Sequence, residues 1–163
     1  MAIITLNNNS LSSVTALPAG VGGKVLQVVE DVTYASVTST SATYADTDLA
    51  ATITPSSTSS KILIITNQFF LKQTSNTYIG YKLFRNSTEL NYIGDLIAYS
   101  NDTTTHTSGV GTTYLDSPSS TSALTYKTQF ATLSGGTAYV QTDSGSANQR
   151  GRGSMTLMEI AGW

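Results

Sequence analysis

The sequence predicts an all-β fold, an antiparallel β-sandwich or jelly roll, and three observations carry that prediction. Thr, Val, Ile and Tyr dominate its regular segments, and helix formers are scarce. Apolar residues recur at period two in short runs, which puts them on one face of an extended chain. Turn-forming residues interrupt the runs every ~8–12 residues and leave roughly eight to ten strands, the spacing of a sandwich or jelly roll.

The elements follow in order. Residues 1–23 read as an N-terminal arm: Ile3, Ile4, Leu6, Leu11, Val14 and Leu17 are too few for a core of their own, and Pro18, Gly20, Gly22 and Gly23 close the segment. The domain is expected over 24–163 and starts with a strand at Lys24 to Val32. Ser36 to Thr43 is a polar crossing. Ala51-Thr52-Ile53-Thr54 alternates as a half-buried strand does, and Pro55 with Ser56 to Ser60 makes a turn. Lys61-Ile62-Leu63-Ile64-Ile65 is a continuous apolar run. Its length and flanks predict a strand covered on both faces, which implies a second layer or a neighbouring subunit.

Asn67 to Leu71 extends that strand. Tyr78 to Arg85, the tight turn at Asn86-Ser87-Thr88 and Glu89 to Ile93 form a hairpin. Gly94-Asp95 turns again. Ser100 to Gly111 is the most polar interior stretch and reads as a surface loop. Thr112 to Pro118 and Leu124 to Ala131 are strands, the second with a slip in phase before Phe130. Ser134-Gly135-Gly136 turns into Thr137 to Thr142, and Asp143 to Gly153 is a second long loop. The final strand, Ser154 to Ala161, is apolar enough to lie inside a sheet.

A chain of 163 residues suffices for one domain with a core. Ser and Thr make up roughly 30 % of it, far above ordinary usage. A net charge of −2, a pI near 5.1 and the lack of a basic stripe argue against a nucleic-acid partner. Without cysteine there are no disulfides or thiolate metal sites, so stability rests on packing or association. MAIITLNNNS has neither the basic region nor the long apolar core of a signal peptide, and no segment is apolar enough to span a membrane as a helix.

No catalytic set, metal site or cofactor is expected. The single histidine, His106, sits in a Thr-rich loop without a recognisable acid and nucleophile. Asp46-Thr47-Asp48 could offer two carboxylates to Ca²⁺, but it also reads as a hydrated entry to a strand. Arg150-Gly151-Arg152-Gly153 is one copy of a short basic repeat in an acidic chain and reads as a solvated loop. The sequons at Asn8, Asn86 and Asn101 arise by chance in so hydroxyl-rich a chain.

Several phrases carry a family likeness. They are Gly23 to Val29, Ile53-Thr54-Pro55-Ser56 with Ser59 to Leu63, Tyr114 to Pro118, Thr125-Tyr126-Lys127 and Thr156 to Ile160. In this order and spacing the chain resembles virion structural and tail-fibre proteins of marine and freshwater bacteriophages, cyanophages among them. The resemblance implies a jelly-roll domain similar to tumour-necrosis-factor-like heads, which pack as a homotrimer through an aromatic-rich face. The nine tyrosines suit that use and equally suit cross-strand pairs within one copy. No heptads, collagen repeat or β-helix motif supply a fibre shaft.

The expectation is therefore a non-enzymatic protein of the virion surface, made in the host cytoplasm without a signal peptide. It would be a capsid decoration or accessory protein, anchored to another virion protein through the arm. A tail-fibre tip that binds a host-cell glycan is the alternative. For that role the candidate loop residues are Tyr99, Asn101, Asp102, Tyr114, Asn148 and Gln149, with side chains that stack on or hydrogen-bond a sugar.

Overall fold

Period-two alternation sorts side chains to two faces, and a sheet with one apolar face is stable only when another layer covers it. The chain solves this with two sheets. The computed structural model describes residues 24–103, 105–142 and 151–162. The arm residues Ile3, Ile4, Leu6, Leu11, Val14 and Leu17, and the loop residues Asn148 and Gln149, lie outside these.

Ten strands are described: β1 (Val25–Thr33), β2 (Val37–Ser39), β3 (Ala45–Ile53), β4 (Lys61–Lys72), β5 (Ile79–Arg85), β6 (Thr88–Ile97), β7 (His106–Asp116), β8 (Leu124–Thr132), β9 (Ala138–Val140) and β10 (Gly153–Ile160). There is no helix among the described residues, and all strand pairs are antiparallel. The first sheet runs β1-β10-β4-β7. The 12-residue β4 is long enough to take β10 along Lys61 to Asn67 and β9 along Phe70 to Lys72 on one edge, with β7 on the other. β2 extends the sheet beyond β9. The second sheet runs β3-β8-β5-β6. Leaving β2 and β9 aside, the chain passes from β1 to β3 to β4, then β5 and β6, then β7, β8 and β10, crossing between sheets at each step except the β5–β6 hairpin. That is the path of a jelly roll.

The core has two apolar ends. Leu49, Ile53, Ile62, Ile64, Leu83, Tyr126, Met155 and Leu157 fill one; Phe70, Ile79, Tyr81, Phe130, Ala138 and Val140 fill the other, where Phe70 and Tyr81 meet edge to face at 4.9 Å. Full burial of each large aliphatic side chain contributes about 1.5–3 kcal/mol. Along β4 and β8 a polar belt separates the ends. Thr128 Oγ1 donates to Gln68 Oε1 at 2.7 Å, so the 2.6 Å bond between Thr47 and Thr128 takes its proton from Thr47. The belt also removes the slip in phase expected near Phe130. Thr128 occupies an inward position, and Leu124, Tyr126, Thr128 and Phe130 face the core without a break.

Four other expectations are corrected. β4 is covered on one face only: Ile62 and Ile64 are fully buried, while Ile65 is 39 % exposed on the opposite face. The polar stretch at 100–111 is a loop only in its first part, because β7 begins at His106 and pairs with the whole outer half of β4. Gly94-Asp95 does not turn the chain; β6 runs through it, with register shifts against β5 absorbing the irregularity. The polar crossing after β1 holds the short β2. The hairpin turn at Asn86-Ser87 and the interior position of the last strand, between β1 and β4, are as expected. Asn86 takes a left-handed φ of 54° there, and Gly135 and Gly136 take 83° and 80° in the turn after β8.

Candidate functional site

Strand register places residues far apart in sequence side by side on the outer face of the first sheet. Val28 pairs with Met158, Met158 with Leu63, and Leu63 with Leu115. Directly paired residues share a face, so these four side chains form one aliphatic row across β1, β10, β4 and β7. Val25 and Ile160 pair on one side of the row, and Ile65 lies on the other. Val28 is 56 % exposed and Leu115 48 %, and Val25, Leu26 and Val32 are exposed beside them. The charged residues on these flanking rows are Lys61 and Glu30, and Glu30 is paired with Arg152 at 3.0 Å.

The row sits on a well-anchored base. One residue past Met158, Glu159 turns inward and is fully buried. Gln27 Nε2 donates to its carboxylate at 2.6 Å, the Ser56 amide at 2.7 Å and the Ser56 hydroxyl at 2.6 Å. Burial opposes its charge, yet these donors prevail and hold the carboxyl down to about 2. β1, β10 and the β3–β4 turn are thereby tied together. At the far edge Asp116 accepts from Arg85 Nη1 and from the Tyr126 hydroxyl, both at 2.7 Å. Burial and the adjacent carboxylate both push the Tyr126 phenol up.

The outer face of the second sheet differs: it carries paired charges, beside the exposed Tyr92 and Leu96 of β6. Asp46 accepts from Lys127 at 2.9 Å and Gln129 at 2.8 Å, and these bonds lower its pKa despite partial burial. Lys82 pairs with Glu89 at 2.7 Å and lies 4.4 Å from the Tyr44 ring centroid and 5.5 Å from that of Tyr92. Tyr44 reaches over Gly80, where a Cβ would meet its hydroxyl and Leu133, so a larger residue here would have to displace those side chains. Asp46 and Asp48 both face outward from β3 and, with Asp31, border an open cleft of about 470 Å³. Asp31 accepts from the Ala50 amide at 3.1 Å and Asp48 from Thr33 at 3.3 Å.

The candidate glycan-contacting residues are partly dispersed. Tyr99 is 49 % exposed and meets Tyr78 edge to face at 6.2 Å, near Asn101 and Asp102 in chain order. Lys72, buried at the end of β4, anchors that loop: its ammonium donates to the Asp102 carbonyl at 2.9 Å and to Ser100. His106 donates to Asp102 at 3.0 Å. Tyr114 is not on a loop. It lies in β7 with its ring turned inward against the main core cluster, because the period-two alternation that exposes Leu115 buries its neighbour. The tyrosines gather on no one face: Tyr81 and Tyr126 are interior, and the exposed Tyr34, Tyr92 and Tyr99 follow β1, lie on β6 and sit in the loop. The aliphatic row was not read from the sequence; its sole signal was the double-sided apolar run at Lys61 to Ile65.

No family model and no curated protein matches the chain. Among solved structures it is similar to two described as infectious bursal disease virus. For the Gt strain the TM-score is 0.47 at 11 % identity over 83 % of this chain, and for the Gx strain 0.39 at 9 % over 84 %. The chain spans 37 % of the length of each of those chains. Likeness at this level is looser than a shared fold, and the strand order is the firmer description of the architecture.

Proposed function

We propose that this protein is a non-enzymatic structural component of a bacteriophage virion, a trimeric capsid decoration or accessory protein held at the particle surface through its N-terminal arm. The aliphatic row across β1, β10, β4 and β7 carries the reading. It is a contiguous, charge-poor strip on an otherwise hydroxyl-rich surface, and such strips on soluble domains are surfaces for other protein. The resemblance of its phrases to those of bacteriophage virion proteins favours the same class. Its non-enzymatic character fits the use made of its titratable groups: Glu159, Asp116 and Lys72 are each tied into the scaffold.

A second reading, an appendage tip that binds a host glycan, is favoured by the exposed Tyr99 ring beside Asn101 and Asp102, on a loop that Lys72 holds in place. Averaged electron-microscopy images of intact particles test both. Density at capsid symmetry axes, with the arm side of the domain facing the shell, is the expected result. Density confined to the tail, with the 99–102 loop outward, replaces decoration with the receptor reading. Absence of the protein from particles overturns both.

A further inference from the structure

The aliphatic row lacks a layer over it among the described residues, and its size narrows the choice of occupant. The exposed parts of Val25, Leu26, Val28, Val32, Ile65 and Leu115 sum to on the order of 400 Å², within the range of functional patches on single domains. A standard interface buries ~800 Å² on each partner, so two rows placed face to face would be too small to hold two copies together alone. A row four strands wide spans only ~14 Å, the length of four or five extended residues. The dimensions suit a single extended segment.

The chain contains such a segment. Residues 1–23 carry no charged side chain, and Ile3, Ile4, Leu6, Leu11, Val14 and Leu17 are spread through them. They lead into Lys24, whose carbonyl accepts from Ala161 N at 2.9 Å, so the segment joins the fold where Val25 pairs with Ile160 beside the row. Pro18 to Gly23 can bridge up to ~20 Å and holds three glycines for turning. The mainly apolar, uncharged stretch Ala2 to Leu6 and the aliphatic row are complementary, and they are two different surfaces of one molecule.

That difference bears on symmetry. A two-fold interface joins a patch to itself, whereas a three-fold ring requires each copy to present two unlike, complementary patches. We infer that the five-residue stretch Ala2 to Leu6 of one copy lies across the aliphatic row of the next, so that exchanged arms close the ring and the rest of the arm is left for the particle; this deepens the three-fold assembly proposed above and rests on it. The partner is then a second copy of this chain.

Since the chain has no cysteine, one introduced at Ile4 can carry a benzophenone photocrosslinker uniquely. Copies bearing it, labelled with ¹⁵N, are mixed with unlabelled full-length chains and co-assembled. The expected crosslinks join the labelled arm to unlabelled peptides containing Val28, Met158, Leu63 or Leu115, and a Val28→Lys, Leu115→Lys double variant reduces their yield at least tenfold. Crosslinks confined to labelled chains would show each arm covering its own sheet and overturn the exchange. Crosslinks elsewhere, or none, would remove the arm from the row. Light scattering on the same samples supplies a second readout: deleting residues 1–17 is expected to convert trimer to monomer, and a trimer that survives the deletion sinks the inference. Particle imaging that fails to find the protein in virions would overturn the proposed function while leaving these crosslinks to stand or fall by themselves.

Discussion

The two outer faces of this sandwich share one architecture and differ in chemistry. On the second sheet, outward positions carry Asp46, Lys127, Gln129, Lys82 and Glu89, which satisfy one another in pairs and face water. On the first sheet the equivalent central positions carry Val28, Met158, Leu63 and Leu115. Both inner faces are largely apolar apart from the internal polar belt, because each sheet must cover the other, so they reveal the fold and little more. An outward position has no structural need for a large aliphatic group, and four stand in register on the first sheet, where the second carries ion pairs beside the exposed Tyr92 and Leu96; the proposal of a protein-covered first sheet rests on that difference.

The largest test of the contrast goes through the first sheet. Leu157 faces inward directly before the outward Met158. Leu157→Ala should cost about 2–5 kcal/mol of unfolding free energy in urea denaturation, as buried Leu truncations do. Next comes the buried carboxylate beneath the row. Glu159 is held at about 2 in the fold against an ordinary 4.5, so its contribution is complete above pH 4.5 and is lost as pH falls from 4.5 towards 2. That shift corresponds to about 3 kcal/mol, and thermal unfolding across this window should show it; Glu159→Gln should flatten that stretch of the profile.

Smaller effects on folding are expected outside. Val28→Lys with Leu115→Lys should change the unfolding free energy by no more than about 1 kcal/mol while weakening self-association at least tenfold by light scattering, since both residues are half exposed in the single chain. A large loss of stability with unchanged association would mean that the row belongs to the fold and not to an interface. The smallest effect should come from the second sheet. Lys127→Ala opens the pair with the half-exposed Asp46 and should shift stability by about 0–1 kcal/mol, with association untouched. If this variant dissociated the assembly, the assignment of the two faces would be reversed.

Much of the scaffold was legible in the residues themselves. Alternation of Thr, Val, Ile and Tyr forces extended chain, Asn86-Ser87 and Ser134-Gly135-Gly136 can only turn it, and the apolar Met155 to Ile160 strand had to lie inside a sheet. The candidate site was legible only in part. Leu63 and Ile65 were the one signal of the outer row; the second sheet covers only the opposite face of β4. The loop residue Tyr99 is exposed, whereas Tyr114, in the strand read over Thr112 to Pro118, turns its ring inward, because the sequence does not say which of the two alternating faces of that strand meets the core.

What the sequence by itself determined is local: period-two patterning, turns and the lack of helix depend on neighbours within a few residues, where steric preference is strong. Tertiary structure alone decided strand order and register, and hence that Val28, Leu63, Leu115 and Met158 stand in one row. It also decided that Lys72 and Glu159 are buried with partners, which their residue types would not suggest. These outcomes depend on pairings between segments far apart in the chain. Such pairings are set by how whole faces pack together, and no short stretch of sequence contains that information.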